Sequence, residues 1–159
     1  VNLFIDRTTI KVITINDYTP GKSINMGVKH ATNERILVLS AHSEITSINT
    51  EMLNKWFREE YVAVFGNQTP IYRGKRISKD ITDNLYSHIE DRYFLHNAFC
   101  FYEKSFLLKN PMPEQYPGKE DRFWAKDIVE KGYKYLYDGN YLKCNHFYTG
   151  NGATWKGIG

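Results

Sequence analysis

Ile36-Leu37-Val38-Leu39-Ser40-Ala41-His42-Ser43 sets the architecture of this chain. Four apolar residues without a polar break have the length of a strand. An unbroken apolar strand is one buried on both faces, as in a sheet covered by helices. The run stops at Ser40-Ala41-His42-Ser43-Glu44, a polar cluster just past the carboxyl end of the strand. In open α/β sheets that edge is where ligands bind. A polar loop is therefore expected at 40–44, with His42 either a metal ligand, a phosphate donor or an ordinary loop residue.

Outward from this strand the pattern alternates. On the upstream side Ile24, Gly27, Val28 and Ala31 fall at i, i+3, i+4 and i+7, one helical face. The helix follows an expected turn at Tyr18-Thr19-Pro20-Gly21, and Gly27 allows close packing on the sheet. Its start, Lys22-Ser23-Ile24-Asn25, offers amino-end N–H groups that suit a phosphate, although capping by Ser23 accounts for the same residues. Leu3 to Ile15 reads as one or two short strands.

On the downstream side a helix is expected from Thr50 to Glu60, with Met52, Leu53, Trp56 and Phe57 as its apolar stripe. Tyr61 to Phe65 is a strand closed by Gly66, and a long polar loop runs from Asn67 to Lys79. Ile81, Leu85 and Ile89 mark another helix. Ala98 to Tyr102 is a strand, and Asn110-Pro111-Met112-Pro113 stops the short helix after it. Glu120 to Lys131 is a helix carrying Phe123, Trp124 and Ile128, with Gly132 as its stop. Tyr133–Tyr137 and Tyr141–Asn145 read as a closing hairpin turned at Asp138-Gly139. The sum is an alternating α/β chain, read as one domain over 1–159 with a Gly-rich tail from about Gly150.

Composition narrows the function. A net charge of +3 on 159 residues, spread along the chain, is no basic stripe and argues against nucleic acid. One cluster stands out, Arg73, Lys75, Arg76 and Lys79, which suits an anionic lipid, a phosphate or simply water. Cys100 and Cys144 sit in apolar runs and read as free thiols of a reducing cytoplasm. No apolar run approaches the ~18 residues of a membrane span. No Gly-rich phosphate loop, Cys-x-x-Cys pair or Gly-x-Ser-x-Gly elbow is present.

The strongest chemical signal is Glu120-Asp121. Two adjacent carboxylates at a helix amino end are stabilised by its dipole, and capping alone explains many such pairs. Here a loop with three prolines between Pro111 and Lys119 precedes them and Trp124 follows one turn later. Carboxylate, indole and rigid loop together suit sugar hydroxyls. His146, between Asn145 and Phe147, pairs with His42 only if the fold brings the two together.

In order, these segments resemble family 2 glycosyltransferases of the GT-A fold, of the bacterial surface-polysaccharide type. Pro20-Gly-Lys-Ser-Ile-Asn-Met-Gly27 resembles the family's helix with its Asn-x-Gly core. Arg35 to Ser43 resembles the strand that ends in its Asp-x-Asp metal motif. Val64-Phe-Gly-Asn-Gln68 resembles the next strand and turn. Glu120-Asp-Arg-Phe-Trp-Ala125 resembles its Glu-Asp motif, and Tyr133 to Tyr148 its closing hairpin with a terminal His. The likeness spans about Asn16 to Thr149. It implies a GT-A-like mixed sheet flanked by helices, a nucleotide-sugar donor and a glycan or lipid-linked acceptor, with peripheral membrane contact. It implies Asp121 as the catalytic base, and substrate binding by Glu120, Trp124, Asn25, Gln68 and Lys22. A divalent cation, Mn²⁺ or Mg²⁺, is also implied, with His42 and His146 as its ligands. Two departures stand beside it. Ser40-Ala41-His42 keeps neither acidic residue of the metal motif, and the family's opening unit, with its base-binding aspartate, has no counterpart. The second departure makes a partial domain the expectation, and the two together make a non-catalytic carbohydrate-binding scaffold the alternative. A hydrolase is disfavoured, because its carboxyls stand roughly 5 to 9.5 Å apart across a sugar. The whole reading requires the carboxyl at 121 and the loop at 40–43 to border one cleft.

Overall fold

The computed structural model describes residues 10–76 and 94–148. In chain order these form α1 (Pro20–His30), β1 (Arg35–Leu39), β2 (Ser43–Ser47), α2 (Thr50–Arg58), β3 (Tyr61–Phe65) and β4 (Asn67–Tyr72). β5 (Lys75–Arg76), β6 (Phe99–Glu103), α3 (Lys104–Lys109), α4 (Glu120–Glu130), β7 (Lys134–Tyr137) and β8 (Lys143–Tyr148) follow. The expected helix through Ile81, Leu85 and Ile89, Lys79 and the tail from Gly150 lie outside the described residues. So does most of the expected strand at Leu3–Ile15, whose described part, 10–15, is not a strand.

The fold is mixed α/β with two mixed sheets. One has the order β1-β6-β3-β7, the other β2-β8-β4-β5. In the first, β6 runs antiparallel to both β1 and β3, and β7 runs parallel to β3. Alternation along β3 and β6 divides the core in two. Ala63, Phe65, Cys100 and Tyr102 point to one cluster, where Val28 of α1, Leu107 of α3 and Trp124 and Ile128 of α4 close over them. Val64, Phe99 and Phe101 point to the other, against Leu53 and Phe57 of α2 and Cys144 of β8. A side-chain period of two on a sheet covered on both faces has this consequence.

Several sequence expectations need correction. β1 is only half-buried and ends its sheet among the described strands, so its apolar run reflects partial cover on two faces. The polar loops expected at 40–44 and 67–79 contain β2 and β4. Ser43 to Ser47 alternates between half-buried and exposed residues, and Asn67, Gln68 and Pro70 are buried in β4. Polar residues outnumber apolar ones in both strands, so no apolar period announced them. The closing hairpin is not one. β7 belongs to the first sheet and β8 to the second. Asp138 organises the passage between them, its Oδ1 accepting the N–H groups of Asn140 and Tyr141 and its Oδ2 the indole N–H of Trp56 at 2.7 Å.

Pro20 and Gly21 open α1 rather than form a turn before it. Thr19 Oγ1 accepts the Lys22 N–H at 3.2 Å, and Pro at the first helical positions presets φ without losing a needed donor. Gly21 must be a glycine, since an added Cβ would lie 2.2 Å from the Pro113 carbonyl oxygen, whereas Gly27 faces open space. Asn25 completes this contact. Its Nδ2 donates to Met112 O at 2.8 Å and to Glu114 Oε1 at 2.9 Å, and its Oδ1 accepts the Met112 N–H at 2.9 Å. Gly21→Ala therefore forces α1 off the 111–114 loop. The expected loss is about 1–3 kcal/mol, read as a lower urea midpoint with an unchanged slope.

Candidate functional site

The two sheets and the starts of α1 and α4 enclose a hollow of about 910 Å³. Four segments build its working surface. The turn Ser40–His42 leaves β1 and is pinned to both sheets. Ser40 N–H donates to Ala98 O at 3.2 Å, and Phe147 N–H donates to His42 O at 2.7 Å. The segment His96-Asn97-Ala98 comes from before β6, which runs antiparallel to β1 with Leu39 opposite Phe99. Gly118, Glu120 and Asp121 come from the start of α4, and Gln68, His146 and Tyr148 from the parallel pair β4 and β8. The carboxyl at 121 and the turn at 40–42 thus border one cavity.

α4 begins after Lys119, which takes a left-handed conformation with φ 63° and gives no side-chain cap. One of its first N–H groups, that of Arg122, is met from within. Asp121 Oδ1 accepts the Arg122 N–H at 2.8 Å, while Oδ2 accepts the Asn97 N–H at 3.1 Å. Despite these donors, desolvation, followed by the charge of Glu120, raises the Asp121 carboxyl to about 7. Glu120 is buried, and its Oε1 accepts the Asn97 side-chain N–H at 3.1 Å. A carboxyl that exchanges its proton near neutrality inside a cavity is suited to general-base work.

Two histidines flank it in neutral form. His96 Nε2 meets the Gly66 carbonyl at 2.9 Å, an acceptor only, so that nitrogen carries the hydrogen. Burial lowers His96 to about 3. His146 Nδ1 shares a hydrogen bond of 2.7 Å with Gln68 Oε1, and burial, then His42, lowers it to about 4. The remaining nitrogens, His96 Nδ1 and His146 Nε2, are buried without a hydrogen-bond partner.

Of the residues singled out from sequence, Asp121, Glu120, Gln68, His42 and His146 line the hollow. Trp124, Asn25 and Lys22 do not, and each has another task. Trp124 is 2% exposed, donates Nε1–H to Asn110 O at 2.8 Å and meets Tyr102 edge-on at 5.3 Å. Asn25 ties α1 to the loop before α4, and Lys22 Nζ donates to Asn16 O at 3.2 Å. His96 and Asn97 were not singled out. Their signal was a His-Asn pair directly before a buried strand, which matters only once β6 is known to run back beside β1.

The donor set does not fit a resident divalent cation. His42 and His146 share the cavity, but the turn at 40–42 carries no carboxylate. Among the described residues no three His, Cys, Asp or Glu side chains gather in a group that could hold a metal. No described helix is long and apolar enough to cross a membrane. Compared with known proteins, the chain matches no family model and no curated protein.

Proposed function

We propose that this protein is an inverting glycosyltransferase of the GT-A type, with Asp121 as its catalytic base. The observation that carries the reading is a desolvated carboxyl, held near neutral pKa, in the same hollow as the turn that follows β1. A volume of about 910 Å³ is at the upper end of the ~300–1,000 Å³ common for small-molecule sites, enough for a sugar with much of its nucleotide.

In this mechanism an acceptor hydroxyl donates a hydrogen bond to Asp121. Its proton passes to the carboxylate as its oxygen attacks the anomeric carbon. The bond from that carbon to the diphosphate oxygen breaks on the opposite face, and one displacement inverts the centre. No step runs through a metal. The amino end of α1 also borders the hollow, and its dipole favours the departing diphosphate. The acceptor is a glycan or lipid-linked sugar of polysaccharide synthesis. Exposed Arg73, Lys75 and Arg76 at the β4–β5 turn suit the inner face of a membrane on the cytoplasmic side.

A carbohydrate-binding scaffold is the second reading, favoured by Ser40-Ala41-His42 having no acidic side chain. Calorimetry separates the two. Titration of the intact protein with UDP-, GDP- and dTDP-sugars, with and without Mn²⁺, is expected to show saturable heat for at least one donor. Heat from glycans alone would support the scaffold.

A further inference from the structure

Asn97 touches both carboxylates of α4 at once. Its backbone N–H donates to Asp121 Oδ2 and its side-chain Nδ2 donates to Glu120 Oε1, each at 3.1 Å. The amide is not free to turn. Asn97 Oδ1 accepts the Tyr102 hydroxyl at 2.7 Å. Tyr102 is fully buried in β6 against Trp124, and desolvation raises its phenol well above the ordinary range, with the Cys100, Asp121 and Glu120 charges adding to the effect. A phenol that keeps its proton must donate it. The Asn97 oxygen must then face Tyr102, and the NH₂ group faces Glu120.

We infer that Tyr102 and Asn97 form a positioning clamp that divides the work of two adjacent carboxylates, fixing Glu120 as a hydrogen-bond acceptor and leaving Asp121 to exchange the substrate proton. The catalytic meaning of the clamp rests on the glycosyltransferase reading; the clamp itself does not. Neighbouring carboxylates compete for one proton, and the donors placed on each decide where it goes. Other groups act on the pair beside the clamp. On α4, Arg122 lowers Asp121, as do the backbone N–H groups of Asn97 and Arg122. On β6, Cys100 and Tyr102 are both held protonated by burial. Ahead of β6 and on β8, His96 and His146 are neutral, and Tyr18, His42 and Tyr148 complete the ionisable lining. Trp124 joins the site indirectly, as the wall that seats Tyr102.

The test is a site-resolved ¹³C-carboxyl NMR titration of the intact protein without ligand. In the wild type a step near pH 7 belongs to Asp121. Tyr102→Phe frees the amide without changing the packing volume. Asn97→Ala keeps the backbone donor to Asp121 and removes the amide. In both, Glu120 loses its amide donor and the Asp121 midpoint falls by about one unit. Glu120→Gln lowers that midpoint by a similar amount. The acid limb of the transfer rate moves with it in the clamp variants. An Asp121 midpoint unchanged from the wild type in folded Tyr102→Phe and Asn97→Ala overturns the clamp. A shifted titration in a protein that transfers no sugar upholds the clamp and overturns the glycosyltransferase reading.

Discussion

Asp121→Asn is expected to lower the rate of sugar transfer by about 10²- to 10⁴-fold, the range that a positioned general base supplies, while donor affinity changes little. The substitution keeps the shape of the side chain but removes its ability to take a proton. It also turns one of two oxygens into a donor facing a backbone N–H, since Oδ1 and Oδ2 both accept one. That mismatch costs about 1–3 kcal/mol, partly offset because a desolvated charge is also removed. Rate and stability must therefore be measured together. In the wild type the rate rises with pH up to about 7, where Asp121 becomes the carboxylate, and then levels. Below that pH the loss approaches tenfold per unit.

Acid stability carries the second large effect, and its sign follows from two buried histidines and the desolvated Asp121. His96 and His146 have folded values of about 3 and about 4, below the ~6.5 of an unfolded histidine. Their contribution is complete above ~6.5 and is lost as pH falls toward the folded values, because the unfolded chain binds two more protons. Asp121 acts the other way. Its folded value of about 7 lies above the ~3.9 of an unfolded aspartate. The folded state holds its extra proton between those limits, and stability is lost as pH rises through them. Between about pH 4 and 6.5 these groups leave a net uptake of one proton on unfolding, near 1.4 kcal/mol lost per pH unit on acidification. Asp121→Asn removes the opposing group and about doubles the slope. His146→Phe removes one histidine and brings the slope close to zero. Urea unfolding from pH 4 to 7 checks all three, and equal slopes in the three proteins would contradict the assignment.

Much of the fold was legible because apolar spacing was enough to mark it. Leu53 and Phe57 marked α2, Val62 to Phe65 marked β3, and Trp124 and Ile128 marked α4. Of the second sheet only part of β8 was legible, as the expected strand Tyr141–Asn145. Its strands bury Asn67, Gln68 and His146, whose cover comes from partners rather than from an apolar face. Nor did spacing reveal that β7 and β8 part into different sheets, since Asp138-Gly139 has the composition of a tight turn whether or not its flanking strands pair.

The site divides along the same line. Asp121 and the turn at 40–42 flank elements that sequence could identify, and the fold brings them to one hollow. Trp124 was singled out for its indole, but an aromatic one turn into a helix most often packs inward, and its N–H is taken by Asn110. Asn97 was invisible because its importance lies in three partners, two of them more than twenty residues away.

The most direct test needs no knowledge of the acceptor. Wild-type protein and Asp121→Asn are each incubated with a panel of nucleotide-sugars, with water as the acceptor, and the first sugar released is followed by ¹H NMR. The expected result is release of a sugar of inverted anomeric configuration by the wild type, slowed at least about 10²-fold by the substitution. Release with the donor's own configuration, equal release from both proteins, or no release from any donor would contradict the account.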